Sequence, residues 1–314
     1  MFPWQIFLPF KCLQKMDHGI IAIHKPAGIS SARVVARVKK ALNVKKAGHT
    51  GTLDPFATGL LICGINKGTK LSRFLLGGEK KYTGVVHLGV ETDTFDSTGT
   101  IVKKADPSVF DALTEELISK TVKSFIGPQK QDPPVYSALK HNGQPLYRLA
   151  RQGQMVRKPP RDIEIFSIAI SKIKFPFVTI DVHCSSGTYI RSLAHDIGKN
   201  LGCGGHLSSL VRTYACGFSL DDAVRLTEFE NMDNKTAFEH VIPLAEAVPF
   251  MPLVSVCDET IDKIKFGQTI SAQDGIQPHA DSFVRVVDKN GALAAVVEYD
   301  KISGRYNYCC VFMG

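Results

Sequence analysis

The stretch Gly48-His49-Thr50-Gly51-Thr52-Leu53-Asp54-Pro55 sets one carboxylate in a glycine-flanked turn, a place where packing seldom needs one. Gly48 and Gly51 permit backbone angles closed to other residues, and Pro55 restricts Asp54 to an extended conformation, so the turn can aim a single side chain into a cleft. An isolated Asp-Pro pair is ordinary turn chemistry. A carboxylate presented by such a loop can also serve as a nucleophile or stabilise developing charge. The chemistry-bearing residues farther along are Lys80-Lys81-Tyr82, the run Pro133-Pro134-Val135-Tyr136-Ser137-Ala138-Leu139-Lys140, and Tyr189 with Arg191 after Ser185-Ser186-Gly187. From Lys140 to Arg161, six cations (Lys140, Arg148, Arg151, Arg157, Lys158, Arg161) interleave with Tyr136, His141 and Tyr147. Phosphate-tracking cations mixed with stacking rings are what a nucleic-acid groove requires.

The elements that must position these groups follow from periodicity. Gly19 to His24 reads as a buried strand leading into the turn Lys25-Pro26-Ala27-Gly28. A helix follows, capped by Ser30 or Ser31, with Val34, Val35, Val38, Ala41 and Leu42 as its apolar stripe and Arg33, Arg37 and Lys40 on another face. Leu60 to Ile65 is a second apolar run, and Thr69 to Leu76 a short helix ending at Gly77-Gly78. Lys80 to Leu88 is a strand whose mixed parity predicts a bulge near Gly84. Asp111 to Phe125 has helical spacing through Leu113, Leu117 and Val122. The prolines of 131–140 exclude a central strand there. Val178 to Cys184 alternates cleanly, and a helix from about Thr188 carries Ile190, Leu193, Ala194, Ile197 and Leu201. This places Tyr189 and Arg191 at a strand–helix junction. Ser219 opens a further helix. Beyond about 251 the pattern changes to a short helix capped by Asp258, then a hairpin of Phe283–Val287 and Leu293–Tyr299 around Asp288-Lys289-Asn290-Gly291.

The 314 residues suffice for two domains, and 38 Lys and Arg against 30 Asp and Glu leave a charge of +8 that favours a polyanionic partner. The eight cysteines include no C-x-x-C pair and no His placed to complete a zinc knuckle, so neither a metal site nor a disulfide framework is expected. Scattered cysteines suit a reducing compartment, and the chain is expected in the cytoplasm. Residues 1–16 are apolar and aromatic, yet too short for a membrane span and without the features of a signal; they are expected to be a disordered or loosely docked extension. No coiled-coil seam is visible, and a monomer is expected.

Gly48 to Leu60, Lys80-Lys81-Tyr82, Pro133 to Lys140, and Cys184-Ser185-Ser186-Gly187-Thr188-Tyr189-Ile190-Arg191 occur in the order of the signatures of TruB-type tRNA pseudouridine synthases, and the chain resembles that family over roughly 17–250. The resemblance implies an α+β pseudouridine synthase fold, a mixed, mostly antiparallel sheet flanked by helices, with a thumb-like RNA-binding loop at about 128–161. It also implies that 251–314 is a small β-rich RNA-binding domain of PUA type. The implied activity is isomerisation of uridine to pseudouridine at position 55 in the T arm of tRNA, with neither cofactor nor metal. By position, Asp54 matches the catalytic aspartate, Arg191 its partner, Tyr82 the ring stacked on the flipped uracil, and Tyr189 the tyrosine at the target base. Leu210 matches an apolar contact to the nucleotide and His49 the residue that fills the space left in the T loop; Lys140 and Arg212 join the substrate-binding set.

Physical chemistry fits these assignments. A lone Asp in a dry pocket takes up a proton, and a neighbouring guanidinium opposes that, so Arg191 is expected to keep Asp54 anionic. Extruding a stacked uridine costs on the order of a few kcal/mol, and stacking on Tyr82 returns roughly 1–3 kcal/mol. Asp54 could attack C1′, add to C6, or assist loss of the 2′ proton, and Tyr189 or a carboxylate could remove the C5 proton. Three other readings share these residues: a synthase of a guide-RNA ribonucleoprotein, a non-catalytic tRNA-folding chaperone, and a glycosidase-type hydrolase. The last needs a second carboxylate, and Asp93 and Asp96 read as turn or strand-end residues.

Overall fold

The computed structural model describes residues 17–276 and 283–313; the expected extension at 1–16 lies outside the described residues. The chain opens with β1 (Gly19–Lys25), α1 (Ser31–Ala41), β2 (Ala47–His49), β3 (Thr58–Ile65), α2 (Ser72–Leu76) and β4 (Lys80–Leu88). It continues with α3 (Glu115–Lys123), β5 (Gly127–Gln131), α4 (Leu146–Arg151), β6 (Arg161–Lys174), β7 (Phe177–Cys184), α5 (Ile190–Asn200), β8 (Gly205–Ala215) and the short β9 (Val224–Arg225). These strands form one sheet in the order β9-β1-β3-β8-β4-β7-β6-β5. The β1–β9 and β3–β8 pairs are parallel and the others antiparallel, so the sheet is mixed and mostly antiparallel, as expected.

Burial on both faces explains why β1 and β3 read as unbroken apolar runs. Ile21, Ile23, Leu61, Cys63 and Ile65 face one core together with Val34 and Val38 of α1 and Ile190, Leu193 and Ile197 of α5. Ile20, Ala22, Leu60 and Ile62 face a second core shared with Leu71, Phe74 and Leu75. Ser30 caps α1 by accepting the Arg33 N–H, and the lysines of its last turn complement the helix dipole.

Several local expectations need correction. β4 is regular: Lys80, Tyr82, Gly84, Val86 and Leu88 all point inward, and β4 pairs with β7 without interruption. The irregularities lie on β8, between Leu207 and Ser209 and between Arg212 and Tyr214. Gly84 instead makes room: an added Cβ would lie 3.2 Å from Leu207 and 3.6 Å from Ile190 and Leu210. The helix expected from Asp111 starts only at Glu115, because Thr114 accepts the Leu117 N–H, and this leaves Leu117 exposed while Ile118 and Val122 are buried. The segment after Ser219 is a single 3₁₀ turn, and the turn preceding α2 is also 3₁₀.

The remaining elements are β10 (Leu253–Ser255), α6 (Asp258–Lys265), β11 (Ile270–Ser271), β12 (Phe283–Val287), β13 (Leu293–Asp300) and β14 (Arg305–Val311). Cys257, not Asp258, is the N-cap of α6; Asp258 sits in the first turn, where its charge suits the dipole, and pairs with Lys289 at 2.7 Å. A second sheet, ordered β10-β12-β13-β14-β11, encloses its own core around Ile264, Val284, Val286 and Val297. Its opposite face is not independent of the first sheet. Val287, Leu293, Val296 and Phe312 join Ile20, Leu60 and Phe74 in the second core, and Lys67 and Lys70 each donate at 2.7 Å to carbonyls of the last strand and its end, Phe312 and Val311.

Candidate active site

The Asp54 loop is held along its length by buried groups. Thr50 N–H donates to Ile62 O at 3.0 Å. Arg212 donates through Nη2 to Gly51 O at 3.1 Å and through Nε to Leu60 O at 2.7 Å. The Ser31 hydroxyl accepts from Leu53 N–H at 2.8 Å and donates to Leu53 O at 2.9 Å. Beyond Asp54, the Lys25 ammonium donates to Pro55 O at 3.2 Å, Ala57 O at 2.6 Å and Pro26 O at 2.9 Å. Gly59 lets β3 approach β8: its φ is +103°, and an added Cβ would lie 2.3 Å from Arg212 O.

Asp54 meets Arg191, which the strand–helix junction carries on the first turn of α5. Arg191 Nη2 donates to Asp54 Oδ1 at 3.3 Å, and Nε lies 2.9 Å from Oδ2, off the line a hydrogen bond needs. The guanidinium is 3% exposed and ties three segments together. Nη2 also donates to Tyr136 O at 2.8 Å, and Nη1 to Thr94 O at 2.9 Å and Asp96 Oδ2 at 3.2 Å. Asp96, expected to be a turn or strand-end residue, is also a second buried carboxylate on the same cation; its other oxygen accepts from Thr94 Oγ1 and from Thr98 N–H and Oγ1 at 2.6–2.9 Å.

Asp54, Tyr82, Tyr189, Arg191, Leu210 and Arg212 line one cavity of about 340 Å³, with Leu53, Lys80, Leu139 and Arg161. Tyr82 is buried at its wall, and Tyr189 sits half-buried at the N-cap of α5, with its N–H donating to Gln131 Oε1 at 2.8 Å. Two expected site residues lie outside this lining. His49 is on β2, paired with Cys63, with an unpartnered Nδ1, and Lys140 is exposed on a small hairpin. Arg212 lines the cavity, but its guanidinium is engaged by the loop carbonyls, so it acts first as a buried brace.

The electrostatics partly reverse the expectation for Asp54. Burial raises its carboxyl above the ordinary 3.8, Arg191 and Lys25 pull it back, and Asp96 adds to the rise. The net direction is upward although the side chain is 33% exposed toward the cavity. The cation offsets desolvation without overcoming it. Burial lowers Lys25 to about 8 against the opposing pull of Asp54, and burial followed by Arg212 lowers His49, which is neutral at pH 7. Burial raises the Tyr82 phenol and lowers the Lys80 ammonium.

Sequence reasoning missed Lys25, Ser31 and Asp96. A lysine closing a buried strand and a carboxylate flanked by Thr94 and Thr98 were the available signals, but their shared partners come from distant segments. Among the described residues no cluster of side chains suits a metal ion, and no helix is long and apolar enough to cross a membrane.

Comparison with known proteins agrees with the resemblance. The profile of the TruB family pseudouridylate synthase (N terminal domain) matches residues 39–190, and that of the tRNA pseudouridylate synthase B C-terminal domain matches 191–248. A tRNA pseudouridine synthase B of Syntrophotalea carbinolica is 40% identical over 286 residues, covering 88% of this chain and 90% of the relative. One from Francisella tularensis subsp. novicida is 39% identical over 284 residues, covering 90% and 92%. A crystal structure of a Cbf5-Nop10-Gar1 complex superposes with a TM-score of 0.73 at 26% identity, covering 95% of this chain and 86% of that one. An H/ACA RNP bound to a substrate RNA containing 2′-deoxyuridine gives 0.72 at 24% over 95% and 86%, a likeness of fold. Identity of 40% sustained across nearly the whole of both sequences, together with the match of the TruB family profile, means that the chain belongs to the TruB family of pseudouridylate synthases.

Proposed function

We propose that this protein isomerises uridine to pseudouridine at position 55 in the T arm of tRNA, with the target nucleotide flipped into the cavity and Asp54 as the catalytic carboxylate. The observation that carries this reading is the pairing of Asp54 with the buried Arg191 in a cavity walled by Tyr82, Tyr189 and Leu210. The relatives named tRNA pseudouridine synthase B support tRNA as the substrate.

In this reading Arg191 aims the Asp54 carboxylate and opposes its protonation. Tyr82 supplies the stacking face that offsets, by roughly 1–3 kcal/mol, the cost of extrusion. Leu210 packs on the nucleotide, and Tyr189 relays the C5 proton once the new C1′–C5 bond has formed, its phenolic oxygen accepting that proton as its own passes to water. His49, neutral and on β2 outside the cavity lining, fills the gap in the T loop. Lys140 and the other cations of the 128–161 thumb track the RNA backbone. A second recess of about 620 Å³, with Lys45, Lys46 and Lys70 in its wall, extends the basic surface beyond β2. The sheet beyond residue 251 serves as a PUA-type RNA-binding domain. The protein works as a cytoplasmic monomer without cofactor.

The hydrolase reading weakens because Asp96, the nearest second carboxylate, is engaged by Arg191, Thr94 and Thr98 and is 3% exposed. The test is recombinant protein with unmodified tRNA transcript and nothing else, scored for pseudouridine by position. Product at position 55 without a guide RNA supports the reading. Release of free uracil, or a strict need for a guide RNA, overturns it; pseudouridine formation undiminished in Asp54→Asn removes the role given to the carboxylate.

A further inference from the structure

The cations lining the cavity differ in what their donors already hold. Those of Arg191 go to Asp54, Asp96 and two carbonyls; those of Arg212 go to Leu60 O and Gly51 O; the Lys80 ammonium donates to Gly78 O at 2.6 Å and Leu76 O at 3.3 Å. Arg161, the first residue of β6, is the exception. Among the described residues its side chain makes neither a hydrogen bond nor an ion pair, and the adjacent Asp162 is taken by Lys130 at 3.1 Å.

Arg161 is nonetheless held firmly. Its guanidinium carbon lies 4.3 Å from the centroid of the Tyr189 ring, a cation–π arrangement. Gly187 is also beside it: its φ is +86°, and an added Cβ there would lie 3.4 Å from Cζ and Nη1, so only a glycine leaves this room. Nε is buried with no acceptor. A planar cation set over a ring beside a glycine, with a desolvated donor left open and no carboxylate to neutralise it, is preorganised for an anion that arrives with the ligand. Phosphate matches a guanidinium edge through two parallel N–H···O bonds.

We propose that Arg161 is the phosphate-binding residue of the cavity, gripping a phosphodiester that flanks the nucleotide entering beside Tyr189. This rests on the reading of the site as one for an RNA nucleotide. It separates the tasks of the four cations: three shape the protein and Arg161 faces the substrate.

The test is binding of a T-arm stem-loop RNA to wild-type protein and to Arg161→Gln across a salt series, repeated with RNAs carrying a neutral methylphosphonate at either linkage flanking the target uridine. Arg161→Gln should bind roughly 10- to 100-fold more weakly. The slope of log K against log salt should shrink by about 0.7–0.9, the equivalent of one phosphate contact. The melting temperature should fall only slightly, because the substitution removes the cation–π contact with Tyr189 but no protein hydrogen bond. One of the two methylphosphonates should weaken wild type as much as the substitution does, and should weaken Arg161→Gln no further. Additive losses at both linkages, or an unchanged salt slope, would overturn the proposal and leave Arg161 as a prop for Tyr189. If Arg161→Gln folds poorly, Arg161→Lys replaces it: the retained charge should keep the slope while the lost edge lowers affinity several-fold, and full affinity in this variant overturns the proposal. Wild type that makes pseudouridine while the losses are additive refutes this inference alone; wild type that makes none refutes the functional reading beneath it.

Discussion

At Asp54 folding conflicts with the proposed chemistry. Burial raises its carboxyl above 3.8, so the folded protein holds that proton more tightly than the unfolded chain does, and ionisation costs folding. The cost is absent below the unfolded value and complete above the folded one, so this contribution to stability falls as pH rises through that window. Asp54→Asn should therefore melt above wild type at pH 7, and the gap should close toward about pH 3; thermal melts at the two pH values check it, and a lower melting point at pH 7 contradicts it. The same variant should lose pseudouridine formation by on the order of 10⁴-fold or more while retaining RNA binding. With Asp54 as the proposed catalytic carboxylate, acting in its ionised form, the acid limb of kcat/KM for tRNA should lie above 3.8; a limb at or below that value sinks this proposal. Arg191→Gln should lower stability by about 3 kcal/mol or more in chemical denaturation, because Asp96 would stay buried without its counter-charge.

At the scale of elements, the site depends on how closely β3 passes β8. Gly59 permits that approach, and the carbonyls of Leu60 and Gly51 reach Arg212 only because of it. Gly59→Ala should destabilise by about 2 kcal/mol or more from positive φ alone. It should also lower activity beyond what the stability change explains, measured as kcat at a temperature where the variant is folded. Equal activity would mean that the loop is positioned from the Lys25 side alone. The two bulges of β8 belong to the same problem: they bring Leu210 and Arg212 to the cavity while β4 stays regular across from them.

The whole molecule couples its two sheets through apolar contact. Val287, Leu293, Val296 and Phe312 complete a core begun by β1 and by β3, the strand that follows the Asp54 loop. Removal of residues 251–314 should expose Ile20, Leu60 and Phe74, lowering the melting temperature and promoting aggregation at low salt. A truncated chain that melts with the parent would show that this face contributes little.

The sequence by itself determined the turn that presents Asp54, the strand–helix junction bearing Tyr189 and Arg191, the apolar stripes of α1 and α5, and the terminal hairpin. Each depends on residues within about two turns or one strand, where periodicity and turn chemistry act. Leu117 and the bulge expected at Gly84 show the limit: a hydroxyl cap and a bulky neighbour from another strand decided them. Only the tertiary structure decided that Arg191 answers to Asp96 as well as Asp54, that Lys25 and Ser31 grip the loop, and that Arg212 braces it while Arg161 stands open. These are pairings between segments far apart in the chain, made by desolvated groups that take whatever partner the fold brings near, and no local pattern encodes which partner that is.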